Sequence, residues 1–388
     1  MIQLLTYPDI DPQQWQALVD RSPYATWFQT QEAYEFYASN PEEMTPFAFG
    51  VVELEVKGER LKVKGTENSA AETTASTPYT LHHTPTLKGV IVGYITRERN
   101  ALKQFFTRRA IIIGGPLLDE HISDEALGAL LSAVAQCKVE SVKFKGEENG
   151  KADTPASSLI ASSPHRLTKP IYIESRNFHD YSKWRNVFEA NGFAYHPHYD
   201  IHVRCNAQHH MSERRQRELK RAIKNGAELI EAQSEQQIRD WYQILCQLYR
   251  EKVRTPLFSE EFFLEFYRKG VGKYLLVKYD GKVIGGMMCP ILKGKAIYEW
   301  YVCGLDEEYR DHYPSVVATY AAIEYAKQND IPLFDFMGAG EPDIPYGVRD
   351  FKMEFGGELV EHGRFLCIRK PLLYWIGKKG VKWLKNKR

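Results

Sequence analysis

Apolar positions in this chain recur at two spacings, and the switches between them mark its elements. Leu127, Leu130, Leu131 and Val134 repeat at helical spacing behind Ser123, which predicts a helix over 123–136 with Ser123 as its N-cap. The same reading predicts helices at 11–20, 31–38, 181–190, 235–251, 259–268 and 315–328. A further helix at 213–224 is bracketed by Ser212 before it and Asn225-Gly226 after it. Short apolar runs predict strands at 47–54, 89–95, 110–116, 171–174, 274–279, 283–291, 296–302 and 333–336, with an extended run over 193–204. Asp280-Gly281 lies between two of these strands and predicts a tight hairpin turn, because both residues adopt left-handed backbone at little cost.

Two polar stretches interrupt the pattern, near 56–88 and 146–168, both rich in Gly, Ser, Thr and Pro and read as insertions. At 388 residues the chain is long enough for two core-forming units. The expected division is a first domain over 1–204 and a second over 205–360, with a strand and basic aromatic tail over 361–388 returning to the first. Helices, an antiparallel meander, then a helix and a strand give an α/β (α+β) class with mixed, mainly antiparallel sheets flanked by helices.

Composition adds exclusions. The apolar share of 43% and charged share of 26% are ordinary for a globular chain, and the formal net charge of +1 names no partner. Six scattered cysteines without a Cys-x-x-Cys pair suit a reducing cytoplasm. The N-terminus lacks the basic start and apolar stretch of a secretory signal, and no apolar run approaches the ~20 residues of a spanning helix. The expected location is cytoplasmic, with any membrane contact peripheral.

The blocks Tyr298-Glu-Trp-Tyr-Val-Cys-Gly-Leu-Asp-Glu-Glu-Tyr-Arg310, Pro314, Ala321-Ala-Ile-Glu-Tyr-Ala326, Phe334-Asp-Phe-Met-Gly338 and Phe351-Lys-Met-Glu-Phe-Gly-Gly357 follow one another in a telling order. Together they resemble the second half of the Fem family of peptidoglycan-bridge aminoacyltransferases, with weaker matches at Phe28-Gln29-Thr30 and Gly115-Pro116. The resemblance implies two tandem GNAT-like domains. It also implies transfer of an amino acid from aminoacyl-tRNA to an amine of a cell-wall or other envelope precursor, with no cofactor and no metal. Three departures stand out. Cys303-Gly304-Leu305 replaces the family's Gly-rich strand end, and Asp335-Phe336-Met337-Gly338 replaces its Asp-Phe-Gly-Gly turn. Tyr34 and Tyr37 lie where a phosphate-contacting lysine is expected.

Acyl transfer to an amine needs a deprotonated nucleophile and donors aimed at the oxyanion. Lys352, matching the family's Phe-Lys-x-x-Phe-Gly lysine, is the expected oxyanion donor. Asp335, a carboxylate between two phenylalanines at a strand end, needs a hydrogen-bond partner there and either orients the next turn or touches ligand. Arg254, Arg310, Tyr301 and Tyr346 are the expected substrate-binding residues. Arg214, Arg217, Arg221 and Lys224 share one side of the 213–224 helix and could meet tRNA phosphates, or form an ordinary solvated face. Coenzyme A would need a Gly-rich turn at a helix N-terminus. Leu305 to Ser315 offers acids instead, and Gly114-Gly115-Pro116 offers only part of the pattern. Two rivals therefore stand behind the Fem reading: an acyl-CoA N-acyltransferase acting on a sugar amine or peptide, and a non-catalytic binding protein on the same fold. The lysine-rich, aromatic tail after Leu372 suits an anionic membrane surface, or docking of Trp375 and Trp383 on the first domain. His196, His198, Asp200 and His202 alternate, but Pro197 interrupts them, and a polar strand face is expected rather than a metal site.

Overall fold

The computed structural model describes residues 2–58, 81–97, 108–137, 139–140, 167–207 and 210–386. The two polar insertions fall largely outside them. The strands are β1 (Ile2–Thr6), β2 (Met44–Gly58), β3 (Leu81–Thr96), β4 (Arg109–Gly114) and β5 (Leu117–Leu118), with a small ribbon of β6 (Val139–Glu140) and β7 (Leu167–Thr168). After β8 (Tyr172–Asn177) and β9 (Ala194–His196) come β10 (Tyr199–Arg204), β11 (Glu228–Glu231), β12 (Gly272–Tyr279) and β13 (Lys282–Leu292). The series ends with β14 (Ala296–Tyr298), β15 (Tyr301–Gly304), β16 (Leu333–Asp335), β17 (Glu358–Glu361) and β18 (Arg364–Ile368).

Two eight-stranded mixed sheets result. The first runs β1-β2-β3-β4-β8-β18-β9 with β5 on β3; the second runs β11-β12-β13-β14-β16-β10-β17 with β15 on β13. Helices pack on both. Asp11, Ser123, Ser212 and Ser234 each accept a first-turn N–H at the start of a helix, so these boundaries follow from side-chain capping. The β12–β13 hairpin turns at Asp280 (φ 48°) and Gly281 (φ 73°), the left-handed pair that the two-residue loop requires.

Three differences from the sequence expectations matter for the site. The extended run over 193–204 breaks at Pro197-His198, because proline removes a ladder donor. Its second half, Tyr199–Arg204, was expected to close the first unit; it pairs instead with β16 and β17 in the second sheet. The strand expected over 296–302 also splits. Glu299 and Trp300 separate β14 from β15, and the break turns Glu299 into the protein, where it is 7% exposed.

The two sheets share one aromatic core. Trp27 and Phe28 meet Trp300 at ring-centroid distances of 5.9 and 5.1 Å, Phe28 meets Tyr298 at 5.4 Å, and Phe36 meets Phe262 at 5.0 Å. Such rings bury large apolar areas and fix the units against each other. Among the described residues, no helix is long and apolar enough to cross a membrane.

Candidate active site

β10 and β16 run antiparallel with His202 directly opposite Asp335, and Asp200 lies two residues before His202 on the same strand. Asp335 and Asp200 are almost wholly buried, at 1% and 3% exposure. Each is held by the turn that follows β16. Oδ1 of Asp335 accepts the Met337 N–H at 2.6 Å, and Oδ1 of Asp200 accepts the Gly338 N–H at 2.7 Å. The remaining oxygen of Asp335, Oδ2, lies 3.4 Å from Nε2 of His202, an ion pair too poorly aligned to count as a formed hydrogen bond.

The proton distribution follows from burial and charge. Burial raises both carboxyls, but the His202 imidazolium and the hydrogen bonds outweigh it at Asp335, which stays below its usual value. At Asp200 burial and the neighbouring Asp335 charge act together, and its carboxyl is pushed well up. Burial pulls His202 down, yet the Asp335 carboxylate prevails and lifts it to about 9. At neutral pH the cluster thus holds an ionised Asp335 and a cationic His202, with burial and the Asp335 charge pushing the neighbouring Asp200 carboxyl up.

Lys352 enters from the helix Gly347–Met353 and is itself buried, at 8% exposure. Its ammonium donates to the carbonyls of Phe336 at 2.8 Å and Gly338 at 2.9 Å, and pairs with Oε1 of Glu299 at 2.9 Å. Three protons meet three acceptors. In this arrangement the Lys352 ammonium, expected as the oxyanion donor, clamps the turn after Asp335. Between the two clamped carbonyls Met337 takes φ 56°, a left-handed conformation that costs a non-glycine residue on the order of 1 kcal/mol. Glycine at this place in the Fem pattern would meet no such cost. Glu299 was not singled out in the sequence; its one signal was a lone acid inside the aromatic block Tyr298 to Tyr301.

Three imidazoles gather at this end of the two sheets. Nε2 of His179, Nε2 of His202 and Nδ1 of His362 are buried without a hydrogen-bond partner among the described residues. The rings of His202 and His362 lie 5.3 Å apart. Burial, then the His202 charge, holds His179 and His362 at about 4, so both are neutral at pH 7. Beside the cluster a narrow crevice of about 10 Å³, room for about one water, separates the units, walled by Arg176, His198, Asp200, Met337, Gly338 and Arg364 among others. Asp200, His202 and Asp335 present ligand atoms within 4.8 Å of one another, a donor set able to hold a divalent cation in place of the shared protons. The expected alternating face does not form, since His196 pairs in the first sheet and His198 lies in the crossing.

The other expected residues lie on separate elements. Arg254, exposed and left-handed at φ 57°, turns its Nε back to the Glu251 carbonyl, and Arg310 does the same to the Glu307 carbonyl. Tyr301 packs on Phe263 at 5.1 Å within the aromatic core. Tyr346 is exposed and lies against Gly340, at the end of the turn that Lys352 clamps. Arg214, Arg217 and Arg221 are exposed, but each faces an acid: Glu218, Glu213 and Asp311 respectively. Lys224 is exposed at the end of the same helix.

The two turns where a pyrophosphate could dock are built differently. At the helix Pro314–Gln328, proline supplies no N–H, and the Ser315 N–H donates to Oδ1 of Asp306 at 3.1 Å. A carboxylate thus occupies the anion position. In the first unit, Gly114 and Gly115 adopt φ 85° and 80° against Thr26 and Tyr181, and Gln29 takes both glycine carbonyls.

Comparisons with known proteins agree with this architecture. Residues 212–353 match the sequence profile of an acetyltransferase (GNAT) domain. The solved structure of FemX is similar at a TM-score of 0.59 and 13% identity, over 96% of this chain and 99% of its own. A tandem GNAT protein from the clavulanic acid biosynthesis pathway is similar at a TM-score of 0.50 and 10% identity, over 94% and 98%. The sequence matches no curated protein. The fold is similar to those of FemX and of the tandem GNAT protein, and residues 212–353 match a GNAT domain in sequence as well.

Proposed function

We propose that this chain is an acyltransferase that moves an aminoacyl group from an ester donor to an amine, in the crevice between its two GNAT-like units. The observation that carries the reading is the Asp335–His202 pair: Asp335 ends a strand within the matched residues 212–353, and both members lie two residues from crevice-lining positions, Met337 and Asp200. The acceptor's ammonium, drawn by the Asp335 carboxylate, first gives one proton to solvent and so becomes the nucleophilic amine. Neutral His202, present as pH approaches its value of about 9, takes the amine proton as nitrogen attacks the ester carbonyl. The C–N bond forms, the ester C–O bond breaks, and the proton passes to the leaving oxygen.

Aminoacyl-tRNA is the donor that best suits the chain. Asp306 disfavours coenzyme A at the second unit. Exposed Arg214, Arg217 and Arg221 sit in surface ion pairs, which contribute about 0–1 kcal/mol and exchange readily for phosphates. An envelope precursor with a free amine is the acceptor class that the FemX-like fold suggests.

The test is binding of the purified protein to charged tRNA and, separately, to acetyl-coenzyme A, each at two salt concentrations, followed by transfer to added amines. Salt-sensitive binding of charged tRNA with transfer supports the reading. Binding of acetyl-coenzyme A alone would sink the donor assignment.

A further inference from the structure

Strand pairing alone puts Asp200, His202 and Asp335 on one face of the second sheet. Asp200 and His202 stand two residues apart on β10, and Asp335 lies directly opposite His202 on β16. Backbone donors then fix the carboxylates. Oδ1 of Asp335 accepts the Met337 N–H at 2.6 Å, and Oδ1 of Asp200 accepts the Ile201 and Gly338 N–H groups, both at 2.7 Å. One ligand atom from each residue lies within 4.8 Å of the other two. Nε2 of His202 and Oδ2 of Asp335 are 3.4 Å apart without forming a hydrogen bond, and that spacing is the edge of a tetrahedron whose bonds are about 2.0–2.2 Å long.

The protein by itself leaves this group unsatisfied. Nε2 of His202 is buried without a hydrogen-bond partner among the described residues, and so are Nε2 of His179 and Nδ1 of His362, whose ring lies 5.3 Å from that of His202. Two carboxylates, 1% and 3% exposed, stand beside His202, and the neighbouring cations are committed elsewhere. Lys352 pairs with Glu299 at 2.9 Å, while Arg364 and Arg176 pair with Glu174 at 2.8 and 3.0 Å. A metal cation among the three ligands takes the lone pair of Nε2 and relieves the repulsion between the carboxylates. The group is open on one side: His202 keeps 13% of its side chain exposed, and the crevice that Asp200 lines has room for about one water.

We propose that Asp200, His202 and Asp335 form a three-ligand site for a divalent transition cation of the zinc type, with water in the fourth position. One imidazole nitrogen and two carboxylate oxygens suit zinc or cobalt, whereas magnesium and calcium take six or more ligands, nearly all oxygens, which this buried group does not supply. The site does not rest on the proposed function, but one consequence does. A cation on Nε2 of His202 occupies the lone pair that accepts the amine proton, so the loaded protein is inhibited in transfer until the cation leaves.

Calorimetric titration of the whole protein, first stripped with a chelator, tests the site with Zn²⁺, with Mg²⁺ as control and Co²⁺ as a visible probe of coordination. The expected result is one saturable Zn²⁺ site per chain, the absorption of four-coordinate Co²⁺, and no site for Mg²⁺. His202→Gln should weaken Zn²⁺ binding about tenfold or more and erase the cobalt absorption. Asp200→Asn, which keeps an oxygen for the Gly338 N–H, should do the same and serves if His202→Gln does not fold. His196→Gln, at an exposed histidine of the first sheet, should change neither. No saturable Zn²⁺ binding by the unaltered protein, undiminished binding in either folded site variant, or loss of binding in His196→Gln would overturn the site. Mg²⁺ bound as tightly as Zn²⁺ would overturn the assignment to a transition cation. In transfer assays Zn²⁺ should inhibit over the concentrations at which it binds; binding without inhibition supports the site and removes His202 as the base.

Discussion

His202 and Asp335 face each other across an antiparallel strand pair, with Nε2 of one 3.4 Å from Oδ2 of the other. Each sets the charge of its partner. Asp335→Asn keeps an oxygen for the Met337 N–H but removes the charge that lifts His202. The variant should remain folded, lower transfer by roughly 100-fold or more, and bring the His202 imidazole down from about 9. Transfer kinetics and imidazole NMR titration measure both effects. Unchanged transfer in a folded variant would remove Asp335 from the mechanism.

The rate and the stability should respond to pH in opposite ways above neutrality. Transfer should rise as His202 loses its proton through about 9. The His202–Asp335 pair contributes stability that is complete below the ordinary histidine value of 6.5 and is lost as pH climbs through 9, at most about 3 kcal/mol. His179, His198 and His362 are held neutral at about 4, so their contribution is complete above 6.5 and lost as pH falls through 4. Chemical denaturation between pH 4 and 10 should therefore show greatest stability near pH 6.5–7; a maximum below pH 5 would contradict this account.

Lys352→Met strands Glu299 in the interior and should cost about 3–5 kcal/mol. Adding Glu299→Gln should recover part of that loss, because the uncompensated charge is gone. A double-mutant cycle on thermal and denaturant midpoints gives the coupling. Near-zero coupling would mean that the pair does not hold the turn.

Asp306→Ala frees the Ser315 N–H at the start of a helix. The protein should lose about 0.5–2 kcal/mol of stability, as for other lost caps. Acetyl-coenzyme A should bind no better than weakly before the change. Tight binding by the unaltered protein would show that the turn opens to phosphate after all.

The C-terminal helix Pro371–Asn386 exposes Leu372, Trp375 and Ile376 at 70%, 54% and 41%, beside Lys378 and Lys379, while Tyr374 packs on Tyr172. The side chain of Trp383 lies outside the described residues. An apolar stripe flanked by lysines suits an anionic bilayer surface. Cosedimentation with phosphatidylglycerol vesicles, but not phosphatidylcholine vesicles, is expected, and Leu372→Glu with Trp375→Glu should abolish it. Equal binding of the double variant would exclude this helix as the contact.

The helices were legible because capping residues and apolar spacing act locally: Ser123, Ser212 and Asn225-Gly226 mark boundaries that the structure places within a residue or two. Asp335 was legible as well, since a lone carboxylate in a phenylalanine-rich strand needs partners. What stayed hidden depends on sheet order. Nothing in Tyr199–Arg204 tells which sheet it joins, and so nothing brings Asp200 and His202 to Asp335. Glu174, Arg176 and Arg364 come together only because β18 inserts beside β8. The breaks at Glu299 and at Met337 are tertiary in origin, for Lys352 and the neighbouring strands hold backbone that local preference disfavours.

The chain crosses from one sheet to the other at His198 and back at His362, and the two crossings touch through the Gly363 N–H and the His198 carbonyl at 3.1 Å. β18 then slots between β8 and β9, two strands made nearly two hundred residues earlier. During synthesis the first sheet must wait, incomplete, until Ile368 has left the ribosome. A chain truncated before Arg364 would hence lose the strand that joins β8 to β9, so the strands made earliest form a sheet that only residues 364–368 can finish.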